Sequence, residues 1–146
     1  MQENWNNYLS QLRLTNPVKE RIESIVQELG IIYPGITFND IFISQAKKET
    51  GIGLKSLWLL SESVMVECKN FITDDDYDLI SLKSLSYFKI TKKNFIVSQE
   101  PKDTSEVFIY GLFFTGSMNC SLSAYGMNCK YAMDIANKYI IPNIAV

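Results

Sequence analysis

The segment LWLLSESVMVECKNF, residues 57–71, sets the pattern from which the fold can be predicted. Two apolar stretches are separated by the polar turn SES, 61–63, so the segment reads as one strand, a turn and a second strand. The second stretch alternates with a period of two residues, which is typical of a strand with one buried face. The predicted inward positions are Val64, Val66 and Cys68, and the opposite face carries Ser63, Met65 and Glu67.

Further strands are predicted on both sides of this segment. Upstream, ITFNDIFISQ (36–45) is rich in β-branched and aromatic residues, with Phe38, Ile41 and Ile43 expected to point inward. Downstream, LISLKSLSYFKIT (79–91) is one predicted strand, and NFIVSQ (94–99) is the next. The segments VFIYGLFFTG and SMNCSLSAYG form a last hairpin, joined near Gly116 and Ser117.

Two helices precede the strands. In the first, apolar residues recur at the spacing i, i+3, i+4, i+7, which places Trp5, Tyr8, Leu9 and Leu12 on one face. In the second, TNPVKERIESIVQELG, Thr15 or Asn16 can cap the first amides and Pro17 suits the first turn. Gly30 is expected to end this helix in the left-handed conformation. Its predicted buried stripe is Val18, Ile22, Ile25, Val26 and Leu29.

A third amphipathic helix is predicted at the end of the sequence, in MNCKYAMDIANKYIIPNI (127–144). Asn128 is its expected cap, and Pro142 is expected to stop it just after Ile141. The apolar stripe is Ala132, Ile135, Ala136, Tyr139 and Ile140.

The order of two helices, six or seven short strands and one helix resembles the bacterial pleckstrin-homology-like fold. The segments that carry the resemblance, within 36–141, are LWLLSESVMVECKNF, LISLKSLSYFKI, VFIYGLFFTG and YAMDIANKYI. The resemblance implies an α+β protein in which a strongly bent antiparallel sheet is closed at one end by the last helix. Residues 1–35 would be a helical extension and 36–146 the β-rich domain, together one structural unit. An unrelated α+β sheet with helices on one face is the alternative.

Composition excludes several chemistries. The 146 residues include no histidine, so serine or cysteine nucleophiles activated by histidine and two-histidine zinc sites are ruled out. Cys68, Cys120 and Cys129 are too widely spaced for a zinc or disulfide pattern, and we expect them to be buried, reduced core residues of a cytoplasmic protein. No secretory signal pattern is present at the start. The sequence therefore predicts no cofactor, no metal and no enzymatic activity.

The net charge and hydropathy bear on the class of partner. A formal charge of −2 and a pI of about 5.2 argue against a nucleic acid. No apolar run reaches the ~18 residues that a membrane-spanning helix needs. Two tryptophans and eight tyrosines exceed what one small core ordinarily uses, and such side chains are enriched at protein interfaces. The leading hypothesis is a protein–protein interaction module, of the inhibitor or immunity type or an assembly protein.

The stretch KKETGIGLK (47–55) raises a second hypothesis. In pleckstrin-homology domains that bind inositol phosphates, the corresponding loop holds the basic residues, so the resemblance implies that Lys47, Lys48 and Lys55 could contact a phosphate or an anionic lipid. Arginine is absent from the loop and from the following strand, and Glu49 lies within the loop. We therefore favour a solvated hairpin turn in which glycine supplies the positive φ.

The acidic turn TDDDYD (73–78) is the surface that we expect to meet a partner. Its alternate aspartates suggest a calcium loop, but Leu79 stands where such a loop needs glycine and Leu85 where it needs glutamate. Trp5 and Tyr8 are further candidate partner residues, unless the first helix folds back on its own sheet. The partner is another protein or a second copy of the chain, and a carboxylate-based enzyme is the least favoured alternative. The predicted contact residues of the turn are Asp74, Asp75, Asp76, Tyr77 and Asp78.

Overall fold

The computed structural model describes residues 2–95, 102–113 and 119–144. It is an α+β fold with two helices, two antiparallel sheets of four and three strands, and a closing helix. The helices are α1 (Glu3–Gln11), α2 (Asn16–Ile32) and α3 (Asn128–Ile135). The strands are β1 (Asp40–Lys48), β2 (Gly51–Leu60), β3 (Val64–Lys69), β4 (Tyr77–Ser81), β5 (Leu85–Lys93), β6 (Glu106–Phe113) and β7 (Asn119–Tyr125).

Helix α2 follows its predicted stripe but ends later than predicted. Pro17 lies in the first turn as expected, whereas no side-chain cap bond forms at Thr15. The helix continues two residues beyond Gly30, and Gly30 is not among the glycines with positive φ, so its predicted role as terminator is wrong. Pro34 explains the later end, because it disfavours helical geometry in Tyr33, whose φ and ψ are −122° and 65°.

The first sheet has the order β1-β2-β3-β4 with antiparallel neighbours. A two-residue turn, Glu49 and Thr50, joins β1 to β2, and Gly51 has φ 125°, as a hairpin glycine is expected to have. Both faces of β3 are buried, so Met65 and Glu67 are covered as well as Val66 and Cys68. The prediction that one face of this strand is exposed to solvent is therefore wrong.

The predicted strand 79–91 is divided in the structure. Tyr77–Ser81 pairs with β3, a 3-10 turn follows at Leu82–Ser84, and Leu85–Lys93 enters the second sheet beside β6. The side chains of Leu82 and Leu85 are both buried at this corner, because the chain passes from one sheet to the other there. The predicted strand 94–99, beyond its first two residues, and the hairpin joint at Gly116 and Ser117 lie outside the described residues.

The closing helix has the predicted stripe with a different start and end. Ala132, Ile135, Ala136, Tyr139 and Ile140 are all buried, as predicted. The helix continues through a π-helical turn, Ala136–Ile140, and a 3-10 turn, Ile141–Asn143, so Pro142 does not stop it at Ile141. Asn128 is the first helical residue and makes no capping bond, since its side chain is buried beneath α1 and β1.

One hydrophobic core joins the helices and both sheets. It includes Leu9 of α1, Ile25 of α2, Trp58 of the first sheet, Leu122 of the second and Ala132 of α3. The sheets also approach each other at β1 and β7, where the amide of Ser123 donates to the hydroxyl of Ser44 at 2.9 Å. Within the described residues no helix is long and apolar enough to cross a membrane.

Candidate functional site

Arg21 of α2 holds the acidic turn in place. Its guanidinium donates to the carbonyl oxygens of Phe71 (2.6 Å) and Asp74 (2.8 Å) and to the carboxylate of Asp75 (2.6 Å). Arginine suits this position because its planar fork can satisfy several acceptors from one fixed geometry. The turn is therefore tied to a helix whose own stripe is anchored in the core.

A second link joins the end of the turn to α2. The Tyr77 hydroxyl donates to the carboxylate of Glu28 at 2.6 Å and lies 3.4 Å from Asp75. Burial and the bond to Glu28 raise the pKa of Tyr77, so the phenol remains a proton donor. Of the predicted partner residues in the turn, Tyr77 therefore serves mainly to fix its shape.

The turn leaves two carboxylates facing water. Asp74 and Asp76 are exposed, and neither forms an ion pair within the described residues, whereas Asp78 lies 3.3 Å from the ammonium of Lys69. Leu79 is 44% exposed beside them, on a strand whose outer side pairs with no other described strand. We call residues 74–79 the acidic edge, since they combine acidic side chains, an apolar side chain and a free strand edge.

Trp5 and Tyr8 lie apart from the acidic edge and are buried in their own chain, with 4% and 5% exposure. The Trp5 indole donates to the carbonyl of Asn39 at 3.1 Å, and the Tyr8 hydroxyl donates to Asn128 at 2.7 Å. In the structure, α1 therefore packs against the sheet of its own chain, which is the second of the two arrangements considered for Trp5 and Tyr8. The groove above these residues, about 320 Å³, is completed by α3.

The three lysines of the hairpin do not converge. Lys47 lies 3.8 Å from the carboxylate of Glu106, and the Lys48 side chain runs along the backbone of Gly53. Lys55 lines a different pocket, and a β-bulge in the pairing of β1 with β2 leaves it without a partner residue on β1. The hairpin therefore presents dispersed positive charge.

The sequence analysis missed a polar pocket of about 310 Å³ at the junction of β2, β3 and the start of β7. Its carboxylate, Glu67, is only 7% exposed, and burial raises its pKa. One signal was available: Met65, two residues earlier on the same face, is an apolar residue suited to burial. The pocket is lined by Lys55, Ser56, Glu67, Lys69, Asn70, Asn119 and Ser121.

The cysteines and the acidic residues do not assemble into a metal centre. Across residues 2–95, 102–113 and 119–144, no group of three histidine, cysteine or carboxylate side chains has metal-binding geometry. The three cysteines are buried and unpaired, as predicted. Burial raises the pKa of Cys68 and Cys120 to about 12 and of Cys129 to about 11, so each thiol stays protonated and is a poor nucleophile near neutral pH.

Comparison of the sequence with known protein families found no matching family model, and comparison with curated proteins found no similar protein.

Proposed function

We propose that this chain is a non-enzymatic protein–protein interaction module of the inhibitor or immunity type that presents its acidic edge to a basic partner. The observation that carries the proposal is the triple hydrogen bond from Arg21, which orders the turn while Asp74 and Asp76 remain exposed. An interface that is ordered before binding loses less conformational entropy on association. Electrostatic complementarity then accelerates association with a positively charged surface.

The chemistry of the edge favours a different protein over a second copy of the chain. Two copies meeting at this edge would bring like charges together, which opposes association. The exposed Leu79 and the free side of β4 supply apolar area and backbone hydrogen-bonding groups beside the charges. A basic partner with an apolar centre fits this combination.

The pleckstrin-homology-like resemblance and the cytoplasmic location belong to the same proposal. The arrangement of four and three antiparallel strands followed by a packed amphipathic helix supports the resemblance. Three reduced, buried cysteines support a reducing compartment.

The test begins with affinity capture on the immobilised chain, followed by affinity measurement with the purified captured protein. Replacing both exposed carboxylates, Asp74→Asn with Asp76→Asn, is expected to weaken binding at least about tenfold, mainly through slower association. Glu49→Gln with Glu62→Gln is the matched control, because it removes the same charge at two exposed turns elsewhere. Equal affinity of the two double variants would refute the proposal.

A further variant tests the ordering of the turn separately from its charge. Arg21→Gln removes the donor to the turn and keeps both exposed aspartates. We expect a slower association and a weaker complex, although the chain becomes more acidic. Unchanged or tighter binding would show that the fixed geometry of the turn is irrelevant.

A further inference from the structure

The wall of the polar pocket holds an incompletely bonded serine. Within the described residues, neither the buried hydroxyl of Ser56 nor the buried indole nitrogen of Trp58 forms a hydrogen bond of standard geometry, and the Ser56 hydroxyl lies near enough to Glu67 to lower the pKa of that carboxyl. Ser56 lines the pocket and is 1% exposed, and Trp58 lies two residues further along the same strand. Buried polar groups are well paired in nearly all native structures, so the poorly bonded pair of Ser56 and Glu67 in a pocket wall points to a ligand that completes its hydrogen bonds.

The strand register brings these groups to the same face. Ser56 is directly opposite Lys69, and Trp58 is directly opposite Glu67, so all four side chains lie on one side of the β2–β3 pair. The neighbouring residue Cys68 faces the other side, where its strand partner is Tyr77 of the acidic edge. The pocket thus lies on the face opposite Cys68 and Tyr77, and it adjoins the acidic edge at Asp78, which pairs with Glu67 and shares Lys69 with the pocket.

Charge is distributed unequally through the pocket. Glu67 is buried, and its closest cation, Lys69, is 3.9 Å away and is shared with Asp78 at 3.3 Å. Lys69 and Lys55 are both exposed, so the positive charges lie toward solvent and the negative charge lies deeper. A ligand that complements this order carries a positive group at its inner end and a negative group at its outer end.

We infer that the polar pocket binds a small zwitterion of the free α-amino acid type, with its ammonium at Glu67 and its carboxylate toward Lys55 and Lys69. The hydroxyl of Ser56 and the amides of Asn70 and Asn119 provide neutral hydrogen bonds around it. Burial raises the pKa of Glu67 although Lys69 lies 3.9 Å away, and a ligand ammonium would add a second cation to the buried carboxylate. This inference goes beyond the proposed function and does not depend on it.

A purely anionic ligand is the main competitor. Inorganic phosphate or a carboxylate would be attracted by the two lysines, but it would meet the carboxylate of Glu67 with like charge. A purely cationic ligand would in turn be repelled by Lys55 and Lys69 at the mouth. The three charge classes can therefore be separated by probes that differ only in their end groups.

The experiment follows amide NMR spectra of the full chain during titration with each of the twenty free amino acids at up to about 10 mM, a range that covers millimolar affinities. We expect one or more amino acids to shift the resonances of Ser56, Asn70 and Asn119. The N-acetyl and the amide derivatives of the best ligand, together with inorganic phosphate, are then titrated. Each is expected to bind at least about tenfold more weakly, because it lacks one of the two charges.

Variants assign the binding to the pocket. Glu67→Gln and Lys55→Ala are each expected to lower the affinity for the zwitterion at least about tenfold. Glu49→Gln and Lys48→Ala, which remove the same charges outside the pocket, should leave this affinity unchanged. Ser56→Ala provides a further pocket variant that removes no charge. The inference is overturned if no amino acid shifts these resonances, if phosphate or a single-charge derivative binds as tightly, or if the pocket variants behave like their controls.

Discussion

Two buried polar clusters lie close together along the first sheet, and they differ in how completely they are hydrogen-bonded. In one, Asn128 accepts from Tyr8 and donates to the carbonyl of Ile43 and to the side chain of Gln45, at 2.7, 2.9 and 3.1 Å. The other is the polar pocket, where the hydroxyl of Ser56 makes no hydrogen bond of standard geometry among the described residues and has only a weak interaction with Glu67. We call the first group, Tyr8, Ile43, Gln45 and Asn128, the locking cluster.

The difference separates structural from functional polarity. A fully bonded buried cluster fixes neighbouring elements, and the locking cluster joins α1, β1 and α3. An incompletely bonded cluster destabilises the fold, so its polar groups are better explained by a ligand than by packing. The same contrast accounts for the acidic edge, whose backbone is bonded to Arg21 while two of its carboxylates remain free for a partner.

Removing the centre of the locking cluster should have the largest effect on stability. Asn128→Ala leaves the Tyr8 hydroxyl, the Ile43 carbonyl and the Gln45 amide oxygen without this partner, which should lower the free energy of unfolding by about 3 kcal/mol. Urea denaturation measures the loss. Asn137→Ala, at an exposed position on the same helical segment, is the control and should change stability by less than about 0.5 kcal/mol. Similar losses of unfolding free energy for the two variants would show that the locking cluster does not stabilise the fold.

A pair of serine substitutions makes the same chemical change next to the locking cluster and in the polar pocket. The Ser123 hydroxyl donates to the Gln45 carbonyl and lies 3.2 Å from that of Ser44, so Ser123→Ala should cost about 1 to 2 kcal/mol. Ser56→Ala removes a buried hydroxyl that makes no hydrogen bond of standard geometry and should cost less than Ser123→Ala does. Denaturant midpoints of the two proteins test this order, and a larger loss for Ser56→Ala would contradict it.

The smallest expected effect depends on pH. Because the folded-state pKa of Glu67 is raised, the unfolded chain loses this proton at lower pH than the folded chain does. The resulting loss of stability is absent at pH values below the pKa that Glu67 has in the unfolded chain. It grows as the pH rises through the pKa that Glu67 has in the folded chain. Glu67→Gln should therefore match the wild-type protein near pH 4 and exceed its stability at neutral pH. Denaturation curves measured across this pH range test the prediction. A Glu67→Gln protein that is less stable than the wild-type protein at neutral pH would contradict it and would indicate a favourable pairing of Glu67 with Lys69.

Sequence patterns predicted those features that depend on local periodicity. The stripes of α2 and α3 and a glycine with positive φ in the hairpin at 47–55 follow from spacing and residue type within a few positions, whereas the predicted turn at 73–78 is shorter in the structure, because Tyr77 and Asp78 begin β4. The patterns failed where a distant segment decides the environment. Asn128 has the residue type of a helix cap, yet α1 and β1 offer it three partners inside the core.

The candidate sites show the same division. The composition of the acidic edge is visible in the sequence, but Arg21, which orders it, is more than fifty residues away along the chain. Glu67 occupies the polar position of an alternating strand, yet it is buried in the fold, in a pocket that the distant residues Asn119 and Ser121 of β7 also line.

The sequence by itself determined the class of the fold, the order of its elements and the absence of histidine chemistry, because residue type and spacing act over one turn of helix or a few residues of strand. The tertiary structure alone decided which polar side chains are hydrogen-bonded within the protein and which remain available to another molecule. Burial and hydrogen bonding depend on groups that meet across long separations in the chain, such as Tyr8 with Asn128 and Ser44 with Ser123.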